Sequence, residues 1–159
     1  MYISCLLGFI ILFSYIVYII YKDKKIPSSI SQTVHSLDDK NKWVFSIVMF
    51  SVAMLIAPQL FTLMQPFGYE LLAFMTILGI FGVGADPLDY DEKDIVHYVS
   101  SVIAGITSQI MVYLINAWYF ALWSPYVIYT LYMDDGSNNM FWGEIVILLS
   151  MALICLLTI

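Results

Sequence analysis

Between Gly82 and Ser101 the chain reads GVGADPLDYDEKDIVHYVSS, which sets Asp86, Asp89, Asp91, Glu92 and Asp94 ahead of His97 and Ser101. Carboxylates favour a hard divalent cation and imidazole favours zinc, so His97 with Asp86, Asp89 or Asp91 could hold a metal ion or pass a proton. His35 is the one other histidine, and two histidines with an aspartate could complete a zinc set. The acids do not follow calcium-loop spacing, and the stretch lacks that loop's turn glycine and terminal glutamate. The plainer reading is a hydrated acidic link between two apolar stretches.

Asp94 is a good helix cap, and His97, Ser101, Gly105 and Ser108 then follow along one helical face. That face is small and polar, so it is expected to point into a bundle rather than toward lipid. Close packing with a hydroxyl-stabilised histidine is the plain account of it. A reactive centre with His97, Asp86 and Ser101 as catalytic candidates is the sharper one. Gln109, Asn116, Ser108 and Glu144 are the remaining candidates for a polar bundle interior, where such groups bond neighbouring helices or line a cavity. Glu70 and Glu144 read first as helix-start acids, favoured there by the macrodipole, and second as proton or ion ligands.

What must position these residues is set by composition. Of the 159 residues, 62% are hydrophobic and 11% charged, far too apolar for a soluble domain. The chain is expected to be an all-α, polytopic transmembrane bundle forming a single domain over residues 1–159, multi-pass in the cell membrane, the bacterial inner membrane being the expected location. The six basic residues are all lysine, five of them between Lys22 and Lys42, and the net charge is −6. Nucleic acid is thereby disfavoured as a partner, because phosphate contacts need clustered cations. The lysine-rich connection is expected on the cytoplasmic side.

Six spans are expected, at about 2–21, 43–64, 70–85, 95–115, 117–133 and 140–159. In the first, KDKK follows the apolar run instead of preceding it, so the segment reads as a retained span and not as a signal peptide. Within IPSSISQTVHSLDDKNK, Ile26, Ile30, Val34 and Leu37 recur at helical spacing, which suits a short interfacial helix with Pro27 in its first turn, or else an ordinary polar loop. Asp38 and Asp39 are plausible starts for span two, and Pro58 is expected to kink it. QPFGY reads as a tight turn. Gly79, Gly82 and Gly84 in span three mark close helix packing or a locally thin stretch. From Ile95 to Met133 the chain is uncharged for about two spans' length and must turn once, around Asn116, with Ser124-Pro125 then a kink inside span five; a break at that proline is the alternative. Cys5 and Cys155 read as free buried thiols that would share a depth if both ends lie on one side.

The pieces PSSISQTVH, GVGADP and IVHYVSSVIAG resemble the pattern of small polytopic membrane proteins of Bacteroidetes and their phages, over about the middle half of the chain. More faintly, the chain is similar to the alkaline ceramidase and adiponectin-receptor superfamily, in which histidines hold an intramembrane zinc with a serine and an aspartate nearby. The possible matches are Asp86, His97 and Ser101; the HxxxH pair of those enzymes is missing. The first resemblance implies a membrane bundle and no particular activity, the second a metal-dependent lipid hydrolase.

The leading expectation is a non-enzymatic membrane module that binds lipid, a second copy of itself or another membrane protein. An intramembrane lipid hydrolase using a divalent metal comes second. A small transporter or channel, with Gln109, Asn116, Ser108 and Glu144 along a polar path, comes third.

Overall fold

The computed structural model describes residues 2–85, 95–132 and 138–157, and among these every regular element is helical. Six α-helices follow in order: α1 (Tyr2–Asp23), α2 (Trp43–Met64), α3 (Glu70–Ala85), α4 (Ile95–Asn116), α5 (Trp123–Tyr132) and α6 (Asn139–Leu157). Short 3-10 turns occupy Ser31–Ser36, Asp39–Asn41, Gln65–Phe67 and Ala117–Leu122. A backbone that satisfies its own hydrogen bonds is what an apolar surrounding demands. Four helical stretches, Tyr2–Asp23, Asp39–Phe67, Ile95–Tyr132 and Asn139–Leu157, are long and apolar enough to cross a membrane; Glu70–Ala85 is a shorter apolar helix.

Side-chain partners give the direction of each helix. Moving along α3 from Thr76 to Gly82, the facing residues on α4 step back from Thr107 to Ser100, so the two run antiparallel. Their approach is close because Gly79 has no side chain: a Cβ there would lie 2.7 Å from the Ala104 nitrogen and from the Ser100 oxygen. Gly84 does the same against Met49 of α2. The glycines of span three are therefore packing residues.

α4 ends at Asn116, whose backbone is extended (φ −159°, ψ 100°) and whose side chain accepts from the Trp118 amide. The chain then doubles back: Phe120 stacks edge-on against Tyr113, and the Trp123 indole donates to Gln109 Oε1 at 3.0 Å. The turn thus falls at Asn116, and Pro125 sits in the first turn of α5, where a missing N–H costs nothing, instead of kinking a span. α5 in turn lies against the start of α6, with Tyr126 over Gly143 and Tyr129 by Trp142. α4 and α6 run parallel, Gly105 facing Ile147 and Gln109 bonding Ser150.

α2 runs as one helix with Pro58 inside it. One expectation is corrected. Residues 26–37 are neither an interfacial helix nor a polar loop: Ile30, Val34 and Leu37 are buried together with Ser29, Ser31 and Thr33. The segment folds inward because its polar groups find partners there. Tyr15 donates to Thr33 Oγ1 at 3.0 Å, Ser29 bonds Ser31 at 2.9 Å, and the Phe141 amide donates to the Ser28 carbonyl at 2.9 Å. Outside the bundle, Asp39 pairs with Lys42 at 2.7 Å, and that hydrogen bond holds its exposed carboxyl below the ordinary value.

Candidate functional site

The inward fold of residues 26–37 leaves a cleft of about 830 Å³ beside it, walled by α4, α5 and α6. This size lies within the roughly 300–1,000 Å³ typical of small-molecule sites. Its two ends differ chemically. One end collects Ser29, Ser31, Gln32, His97, Ser101 and Glu144, with Tyr126 packed over the neighbouring Gly143; the other is made of Ile106, Ile110, Tyr113, Phe120 and Trp123. Measured along α4 from His97 to Tyr113, the cleft is about 24 Å long.

Each polar group has an element that places it. His97 and Ser101 stand one turn apart in the first turns of α4, and the Ser101 hydroxyl donates to the His97 carbonyl at 3.0 Å. Glu144 lies in the second turn of α6, next to Gly143, which allows the Tyr126 ring to approach. The Ile30 amide donates to Glu144 Oε2 at 2.5 Å, so the carboxyl and the inward segment fix one another. At the aromatic end, Gln109 is held from both sides, its amide nitrogen donating to Ser150 Oγ at 3.0 Å and its oxygen accepting from Trp123.

Tyr98, Val102, Ile106, Ile110 and Tyr113 are exposed on the outer side of the bundle while lining the cleft. The cleft therefore opens sideways along α4. A second cavity of about 120 Å³ lies deeper, against Leu12, Met49, Thr76, Ile80 and Ser108. Ser31, Ser101, Gly105, Glu144 and Ile147 line both and form the partition between them.

The structure thus gathers His97, Ser101, Gln109 and Glu144 around one space, and puts the buried Ser108 in the deeper cavity, where its hydroxyl donates to the Gly105 carbonyl. Asn116 serves instead as the cap of the turn after α4. His35 is exposed and does not line the cleft. Asp86, Asp89 and Asp91 lie outside the described residues. Among the described residues no group of three or more histidine, cysteine or acidic side chains gathers to hold a metal ion. Glu144 is not in the first turn of its helix, so its place is set by Ile30 and not by the helix start. Glu70 does open α3.

Ser29 and Tyr126 are cleft residues that sequence patterning leaves unmarked. The signal for the first was available in part, since Ser29, Ser31 and Thr33 interleave with Ile30 and Val34, a mixture that suits neither lipid nor open water. Tyr126 gave no signal, because its role depends on meeting Gly143 across a turn.

No family model, curated protein or solved structure matches the chain.

Proposed function

We propose that the chain is a six-pass membrane bundle that binds a lipid-like amphiphile in the cleft between α4, α5 and α6. The observation that carries this reading is the sideways-open cleft whose one end gathers Ser29, Ser31, Gln32, His97, Ser101 and Glu144 while the other is largely apolar and aromatic. A lipid has that same polarity along its length. The exposed apolar wall on α4 supplies an entry from the hydrocarbon, and the polar end lies at the level of the helix ends that border the lysine-rich connection.

Six passes are supported by the reversals of direction between consecutive helices. The leg from Ala117 to Tyr132, six residues of 3-10 turn and ten of α-helix, spans about 27 Å, close to the ~30 Å hydrocarbon core. α3 at about 24 Å is short, which suits a locally thinned bilayer. The lysine-rich connection supports a cytoplasmic side for the polar end of the cleft, and this reading takes the membrane to be the inner membrane of a bacterial cell.

Binding is tested by filling the cleft. Gly105 lines the cleft, and a Cβ there would meet only Ile147 Cδ1, at 3.7 Å. Gly105→Trp is therefore expected to fold and to lose the amphiphile that wild-type protein retains through purification, as read by native mass spectrometry in a non-ionic detergent. Equal retention by both proteins would place bound lipid elsewhere and contradict the reading.

A further inference from the structure

The polar end of the cleft is lopsided in charge. Glu144 supplies a carboxyl group, whereas among the described residues no lysine lines the cleft, and the sequence has no arginine. Two of the nearby lysines are directed elsewhere: Lys22 donates to the Ser36 carbonyl at 2.6 Å and Lys42 pairs with Asp39. A phosphate, sulfate or carboxylate head would meet Glu144 with no lysine or arginine to offset it, in surroundings where charge is poorly screened. An ammonium head would instead complete the site, since it brings three donors and a positive charge to a carboxylate and a set of hydroxyl acceptors.

The carboxyl group is also held in place. Ile30 occupies one position on Oε2, which fixes the group without using up its acceptor capacity, and Glu144 borders both the cleft and the deeper cavity. Ser31 and Ser101 flank it on the same partition. From Ser101 to Tyr113 an unbranched chain has about 18 Å of mostly apolar wall along α4. Resting on the cleft as a lipid site, we propose that its ligand is a single-chain amphiphile with a primary ammonium head, the head seated on Glu144 between Ser31 and Ser101 and the tail running toward Tyr113.

The test compares three probes of one chain length, dodecylamine, dodecanol and dodecyl phosphate, each brominated at the chain end, against purified protein in non-ionic detergent. Bromine quenches nearby indoles, and Trp123 lines the cleft while Trp118 does not, so Trp123→Phe identifies the signal that belongs to the site. The amine is expected to quench saturably and to bind at least about tenfold more tightly than the other two, and Glu144→Gln is expected to erase that preference. Glutamine still accepts from Ile30, so this variant removes charge while keeping the contact. Should it fail to fold, the ranking of the three heads on wild-type protein decides alone. Saturable binding with no preference for the amine, or an amine preference unchanged in Glu144→Gln, overturns the ammonium assignment and leaves the cleft reading standing. No saturable quenching by any probe overturns both.

Discussion

The backbone amide of Ile30 donates to the carboxylate of Glu144 at 2.5 Å, tying together residues 114 positions apart. This contact joins the inward segment to α6 and sets the floor of the cleft. Glu144→Ala removes the acceptor and leaves a buried amide unpaired, at a cost of about 1–3 kcal/mol. Glu144→Gln keeps an acceptor and is expected to stay near wild-type stability. Thermal unfolding in detergent separates the two; an equal loss in both variants would mean that charge, and not the acceptor, holds the segment.

Close packing of α3 on α4 depends on Gly79. A Cβ there would strike backbone atoms of Ser100 and Ala104, which cannot swing aside, so Gly79→Ala is expected to cost about 1–3 kcal/mol. Gly105→Ala meets only ordinary contact with Ile147 and is expected to be tolerated. Matching melting temperatures for the two variants would contradict the α3–α4 arrangement.

Cys5 of α1 and Cys155 of α6 are both buried, and their thiols lie close to each other. Copper phenanthroline with dissolved oxygen, which takes two electrons and two protons from the pair, is expected to close an intramolecular disulfide. Maleimide counting after denaturation reads it as the loss of both thiols in a species of monomer mobility. Retention of both thiols, or a cross-linked dimer, would separate α1 from α6.

The six-pass reading proposed above would put the connections on alternating sides. In a chain whose native cysteines are replaced by serine, Lys40→Cys is expected to label from the face opposite to that of Tyr69→Cys and Trp118→Cys, all three positions being exposed. Labelling of Trp118→Cys from the face of Lys40→Cys would remove the return leg through α5 as a span.

Local pattern and long-range pairing were unequally legible in the sequence. Apolar runs broken by polar turns announce α1, α2 and α6, because an apolar surrounding leaves the backbone little choice but helix. Gly79, Gly82 and Gly84 announce close approach for the same kind of local reason, the absence of a side chain. Residues 26–37 were less legible: helical spacing of Ile30, Val34 and Leu37 is equally satisfied by a membrane surface and by a bundle interior. The choice between them rests on Tyr15, Phe141 and Glu144, which become neighbours only when α1 and α6 pack. The same limit applies to the cleft. His97, Ser101 and Gln109 could be singled out along one helix, but their meeting with Glu144 and Trp123 follows from the turn at Asn116 and the return through α5.

Whether the cleft holds a lipid-like chain can be read in native membranes. A diazirine placed near the middle of an alkyl chain on an amine head is activated by light, and the labelled residues are mapped by mass spectrometry, with and without excess unlabelled amphiphile. The expected result is labelling concentrated on Val102, Ile106, Ile110 and Tyr113 and abolished by the competitor, over a weak, unsaturable background at Leu71, Phe74 and Leu78, which are exposed on α3 away from the cleft. Labelling spread evenly over both sets and indifferent to competition would contradict the claim.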